Sequence, residues 1–331
     1  MKTTGGSDGM LWAIRAAHEQ LARVLRRSLP PLPRHRPERI LVLGTGGGSA
    51  MAGEMLKRVL DRPGLPSVDV CGEYRPPAWV GPKTWALAAS HSGNTKEILS
   101  AVAQCSRAGA RIIALTAGGR LEVLARRRGW PIWSLTPGLM PRALLYEILG
   151  GMLRILQPEG ERPVREAEKA LRNGWERRER AAKTAALKLR GLMPYILGAE
   201  PAAAPCALRL KNQLAENGKL VSWAGTLPRA HHDDIVGWGQ PASISRRLGA
   251  VLLRDGEEDA EIKRRFEATR NVLKGKAGAV LELWTDPGTL LARILTLCQT
   301  CDFLSAHLAL MRGVAPTPVP VIDELKKRMG R

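Results

Sequence analysis

The run Trp85-Ala86-Leu87-Ala88-Ala89, then Ser90-His91-Ser92-Gly93-Asn94, then Thr95 through Arg107, decides the fold. A short apolar strand enters a polar, glycine-containing turn and leaves it as a helix. Upstream the same order recurs. Strand Ile40-Leu41-Val42-Leu43 enters the turn Gly44-Thr45-Gly46-Gly47-Gly48-Ser49, and a helix runs from Ala50 to Leu60. Downstream, strand Arg111–Thr116 precedes helix Leu121–Arg128, and strand Pro131–Leu135 precedes helix Pro141–Leu156. With a further strand at Ser67–Cys71, this alternation predicts a parallel sheet covered by helices on both faces.

Farther from that centre the pattern breaks and resumes. Residues 1–38 read as one helix over Met10–Leu29 and a proline-rich lead-in, Pro30–Pro37, which stops it. The first α/β domain then spans 39–156, a charged helical connector 157–190, and a second α/β domain 191–331. In the second domain the candidate strands are Tyr195–Gly198, Leu220–Trp223, Gly249–Leu253 and Ala279–Leu283. Helices are expected over Ala203–Ala215 and Leu290–Met311, with a basic helix closing the chain after Pro316-Thr317-Pro318.

Composition narrows the class. The 331 residues are 44% hydrophobic and 25% charged, as in a globular chain with room for two cores. No apolar stretch is expected to reach the roughly 18–20 residues that span a bilayer. The N-terminal segment lacks the apolar core of a signal peptide, so a cytoplasmic location and no membrane partner are expected. The five cysteines are scattered and odd in number, which is no disulfide framework. Cys298 and Cys301 lie on one helix with no second pair to complete a zinc set, so they are expected to pack, and no metal is expected. The formal net charge of +20 attracts nucleic acid and small anions alike. The arginines are dispersed and aromatics make up only 4%, so no nucleic-acid role is expected.

The turn Ser90–Thr95 carries the clearest chemistry. It opens a helix, where unpaired N–H groups and the helix dipole favour an anion, and Ser90, Ser92 and Thr95 add hydroxyl donors. Capping by Ser92 or Asn94 is the alternative use of the same residues. No G-x-x-x-x-G-K-[ST] occurs, which argues against a nucleoside triphosphate in that turn. The glycine turn 44–49 fits a dinucleotide fingerprint only loosely, with Ser49 at the third glycine position. No cofactor is expected.

Six segments in order carry a family resemblance. Gly47–Glu54 and Ser90–Thr95 resemble the sugar isomerase (SIS) domain, and the chain resembles the bifunctional phosphoglucose/phosphomannose isomerases of archaea and some bacteria. Pro137–Ala143 resembles that family's P-R-A block, Leu214–Lys219 its E-N-x-K, Leu227–Trp238 its F-P-E-x-N-H-N-E-I-x-G, and Leu308–Pro318 its closing block. The implied fold is two SIS-type doubly wound parallel-sheet subdomains, each an αβα sandwich. The implied reaction is aldose–ketose isomerisation of a hexose 6-phosphate through a cis-enediol.

The resemblance also implies roles. Glu216 is the base, His232 opens the sugar ring from the partner subunit of a homodimer, Arg142 is the cation beside the enediolate, and Lys326 sits at the ring oxygen. Ser90, Ser92 and Thr95 hold phosphate, Gly48 and Ser49 meet the sugar, and Thr317 makes room for both C2 epimers. Sequence does not separate His231 from His232, although motif alignment favours His232, nor Lys326 from Lys327. Departures from the family pattern are the extra glycine near Thr45, Gly218 in place of serine, Arg229 in place of an acid, and His231 in place of asparagine. Two other readings share the fold. A phosphosugar-binding regulator is expected to carry a helix-turn-helix ahead of Ile40, where one helix is read. An amino-sugar synthase is expected to carry a glutaminase nucleophile.

Overall fold

The computed structural model describes residues 9–156 and 161–330. Residues 1–8, 157–160 and 331, which include the start of the expected connector and the end of the expected last helix, lie outside the described residues. The elements in chain order are α1 (Gly9–Arg15), α2 (Ala17–Arg26), β1 (Arg39–Leu43), α3 (Met51–Val59), β2 (Ser67–Cys71), β3 (Thr84–Ala89), α4 (Lys96–Arg107), β4 (Arg111–Thr116), α5 (Gly119–Arg128), β5 (Ile132–Ser134), α6 (Leu145–Leu156), α7 (Glu161–Arg172), α8 (Trp175–Leu189), β6 (Met193–Ala199), α9 (Ala203–Glu216), β7 (Trp223–Leu227), α10 (Ala242–Ser245), β8 (Leu248–Arg254), α11 (Ala260–Leu273), β9 (Ala279–Trp284), α12 (Leu290–Met311) and α13 (Pro320–Arg328).

The chain divides into two compact units. One comprises residues 17–169 and 289–292; the other comprises 1–16, 170–288 and 293–331. The first holds a five-stranded sheet of order β2-β1-β3-β4-β5 and the second a four-stranded sheet of order β7-β6-β8-β9. Every strand pair is parallel. Parallel strands need both faces covered, and β3 and β1 are buried almost throughout. The order reverses between β1 and β3, so the turns after those two strands flank a crevice at the carboxyl ends, the usual ligand position in open α/β sheets.

Three expectations are corrected. The single helix Met10–Leu29 is two helices, interrupted at Ala16, where the chain passes from one unit to the other. The strand expected at Leu220–Trp223 is instead β7, Trp223–Leu227, paired Tyr195↔Trp223 through Ala199↔Leu227. Leu220 is held in a turn by its N–H donating to Leu214 O at 3.0 Å, and Ala224, Gly225 and Thr226 disguise the true strand as a loop. Third, α12 is 22 residues long and apolar enough to cross a membrane by length and composition. It is a core helix, with 89% of its apolar window buried.

Candidate active site

In the first unit, the turn after β3 is built on two glycines in the left-handed region. Gly93 has φ +63°, and a Cβ there would come within 1.9 Å of Gly118 O. Gly119, at φ +72°, would clash at 2.2 Å with Ser92 O. The loop after β4 therefore braces the loop after β3 by backbone contact that only glycine permits. His91 Nε2 lies 3.1 Å from Thr136 O, and Asn94 Oδ1 accepts from Arg120 N at 3.1 Å, so Asn94 serves the neighbouring helix, not α4. Thr95 is the N-cap residue of α4 and makes no side-chain capping bond. Its Oγ1 lies 2.9 Å from Ser90 Oγ, and Ser92, exposed, accepts from Asn94 N at 3.3 Å. The structure thus brings Ser90 and Thr95 together at a helix start with no side-chain cap, the arrangement that suits an anion.

The turn after β1 winds as a π-helical turn, Gly46–Ala50, running into α3. A Cβ on Gly48 would lie 2.3 Å from Pro141 O, so the glycine lets this turn pack directly on the Pro141–Leu144 3₁₀ turn that carries Arg142. Arg142 is only 3% exposed. Ser49, buried, donates through Oγ to Thr45 O at 2.9 Å and accepts from Thr45 N at 3.2 Å. That bond closes the glycine turn. The Arg142 segment is fixed from behind by Gln20, which donates to Ala143 O at 2.7 Å and accepts from Glu147 N at 3.0 Å.

In the second unit, Glu216 is the last residue of α9 and is half-buried. One face of α9 is fastened to α12. Arg209 forms a bidentate pair with Asp302 at 2.9 Å on each arm, Gln213 donates to Asp302 Oδ1 at 2.9 Å, and Asn217 donates to Ser305 Oγ at 2.9 Å. Positions 209, 213 and 217 are four apart and share that face. Beyond Glu216 the chain turns through Lys219, the sole non-glycine residue with positive φ (+48°) among the described residues. Lys219 Nζ donates to Glu216 O at 2.7 Å, Ala315 O at 3.0 Å and Pro316 O at 3.1 Å, with Asn217 O at 3.4 Å. Arg312 adds a bond to Gly218 O at 2.5 Å. A Cβ on Gly218 would meet Leu214 O at 2.6 Å, so its departure from serine matches a close backbone approach. Glu216 and the half-buried Thr317 are thereby joined through Lys219.

The other two second-unit residues lie elsewhere. His232 follows β7 on a 3₁₀ turn, Arg229–His231, and is exposed. Its neighbour His231 is held in the fold, with Nε2 2.7 Å from Thr269 Oγ1 and Nδ1 3.3 Å from Arg265. Burial, then the charges of Arg265 and His232, push the His231 imidazole below its ordinary pKa of 6.5. On the far side of His232, Asp234 accepts a hydrogen bond from Tyr195 Oη, which pins the loop to β6. Lys326 and Lys327 both lie exposed on α13.

Lys219 and Arg312 have no role legible in the sequence, although both stand inside the family-like segments Leu214–Lys219 and Leu308–Pro318. The signal was a cation three residues past the candidate base, next to carbonyls at a helix C-terminus, where cations are favoured. Among the described residues no group of His, Cys, Asp and Glu is disposed to hold a metal. All five cysteines are buried and free, with Cys206 Sγ 3.4 Å from Cys298 Sγ.

Two parallel sheets, with a glycine-braced turn entering a helix in the first, are the architecture of the sugar isomerase domain class. Residues 178–329 match the family described as bacterial phospho-glucose isomerase C-terminal SIS domain. The chain is 32% identical over 306 residues to a bifunctional phosphoglucose/phosphomannose isomerase of Caldicellulosiruptor bescii, covering 88% of this chain and 89% of the relative. It is 31% identical over 201 residues to a D-glucosamine-6-phosphate 4-epimerase of Sulfolobus acidocaldarius, covering 60% of this chain and 63% of that one. A glucose-6-phosphate isomerase like protein from Thermus thermophilus superposes with a TM-score of 0.63 at 19% identity, covering 96% of this chain and 97% of the other. The chain belongs to the bifunctional phosphoglucose/phosphomannose isomerase family.

Proposed function

We propose that the chain is a cytoplasmic aldose–ketose isomerase that interconverts glucose 6-phosphate and mannose 6-phosphate with fructose 6-phosphate. The observation that carries this reading is the near-full-length likeness to a named isomerase at 32% identity, which favours an enzyme over a phosphosugar-binding regulator. Ser92, Thr95 and the first N–H groups of α4 bind the phosphate, with Ser90 behind Thr95. Glu216 takes the C2 proton of the open-chain aldose and returns it to C1. Arg142 stabilises the enediolate oxygen while negative charge builds there. His232 and Lys326 serve ring opening, Gly48 and Ser49 line the sugar, and Thr317 admits either C2 epimer.

Homodimerisation belongs to the same proposal, and the placement of two residues supports it. Glu216 precedes β7 and His232 follows it, so the two flank opposite ends of a strand about 15 Å long. A histidine supplied by a partner subunit resolves that separation.

The test is product formation by purified protein. Wild type should form fructose 6-phosphate from both aldose phosphates. Glu216→Gln, which keeps size and removes basicity, should lower kcat by on the order of 10²–10⁴ with KM little changed. Near-normal turnover in Glu216→Gln removes it as the base. Conversion of glucosamine 6-phosphate at C4, with no fructose 6-phosphate, assigns the chain to the chemistry of its epimerase relative instead.

A further inference from the structure

At the amino ends of the first-unit strands lies a cleft of about 950 Å³, on the opposite edge of the sheet from the anion turn. Its wall collects Arg34 and Arg36 from the proline-rich lead-in, Arg111 from the first position of β4, and Arg128 from the last turn of α5. Lys83 also lines it and is paired with Glu38 at 2.5 Å. None of the four guanidinium groups has a carboxylate partner among the described residues.

On several helix faces of this basic chain arginines are matched locally: Arg126 to Glu122, Arg162 to Glu166, Arg264 to Glu261 and Arg328 to Glu324, each within one helical turn. The cleft therefore differs from those paired helix faces in two respects. Its cations arrive from three separate segments, and their charge is left uncompensated around one concavity. Clefts lined by one sign of charge focus the field and concentrate counter-ions. Guanidinium forks are suited to phosphate oxygens, and several of them suit more than one phosphate.

We propose that this cleft binds a small polyanion with two or more linked phosphate groups, a nucleoside polyphosphate or an inorganic polyphosphate, at a site distinct from the sugar-phosphate turn. His35 and the half-buried Trp130 also line the cleft and supply a planar wall for a ring, so the two ligand sources are separable by experiment.

Titration calorimetry on the full chain, with ATP and with tripolyphosphate, tests this at physiological salt. A saturating equilibrium mixture of glucose and fructose 6-phosphates keeps the sugar turn occupied. Binding should persist under that mixture and in Ser92→Ala/Thr95→Ala. It should weaken by on the order of 100-fold in Arg111→Glu/Arg128→Glu. Arg34→Gln/Arg36→Gln, in an exposed segment, should weaken it in the same direction, which guards against misfolding of the first variant. Equal affinity for the two ligands identifies the phosphate chain as what is read, and tighter ATP identifies a nucleoside polyphosphate. No binding of either ligand at millimolar concentration overturns the proposal. So does binding that both arginine pairs leave unchanged, or that hexose 6-phosphate displaces.

Discussion

At the scale of single residues, Lys219 shows how a motif position acquires a physical task. Its left-handed backbone costs a non-glycine residue about 1–2 kcal/mol, and the hydrogen bonds of its ammonium to carbonyls on two segments offset that. Those segments carry Glu216 and Thr317. Lys219→Met removes the donors while keeping the aliphatic stem. Its kcat should fall by about 10–100-fold, with the ratio of mannose to glucose 6-phosphate turnover altered and the far-ultraviolet circular dichroism unchanged. Lys219→Arg should recover part of the loss. An unchanged substrate ratio and kcat would show that the clamp has no bearing on the base. The turn proposed to bind phosphate makes a parallel prediction: Ser92→Ala/Thr95→Ala should raise KM for 6-phosphosugars and weaken competition by inorganic phosphate.

At the scale of elements, the polar seam between α9 and α12 holds in register the helix that ends at Glu216, the proposed base. Arg209 and Asp302 are buried with 0% and 2% of their side chains exposed. Removing one partner strands the other's charge, so Asp302→Ala should destabilise the protein by about 3–5 kcal/mol, read as a lowered midpoint in urea. A midpoint within error of wild type would contradict the seam's role. How legible each element was follows from its apolar signal. The β2, β4 and α12 limits read from sequence coincide with the observed ones because a proline or glycine lies within two residues of each end. By contrast the middle of β7 is Ala224-Gly225-Thr226, with no apolar run, and Gly225 is placed where a Cβ would lie 2.7 Å from the Asp234 carboxylate. Tertiary pairing to β6, absent from any local pattern, makes it a strand. The polar seam was equally hidden, since residues 209, 213 and 217 declare themselves only once Asp302 and Ser305 face them.

At the scale of the whole molecule, two imidazoles contribute to the response to acid. Burial, opposed by Glu179, pushes His307 below its ordinary 6.5, and His231 is depressed as well. The folded state then binds fewer protons than the unfolded chain, so stability is full above about pH 6.5 and is lost as pH falls from there through the folded values. Glu179 behaves differently. Burial raises its pKa, but the Arg15 hydrogen bond and the Arg15 and His307 charges bring it below 4.5, so its stabilisation persists to lower pH. His307→Gln should flatten the fall in Tm between about pH 6.5 and 5; an unaltered slope would assign that fall to other groups.

Subunit complementation tests the proposed homodimer. Glu216→Ala and His232→Ala proteins should each be nearly inactive, and a mixed dimer should regain up to half of wild-type activity through its one intact site. Mixed dimers verified by mass that stay inactive would place the histidine within its own chain.

The central claim, proton transfer between C2 and C1 by Glu216, is tested most directly by following fructose 6-phosphate in deuterium oxide by NMR. Wild type should place solvent deuterium at C2 of both glucose 6-phosphate and mannose 6-phosphate, and Glu216→Gln should not. Label appearing at C4, or equal C2 labelling by the variant, would contradict the account.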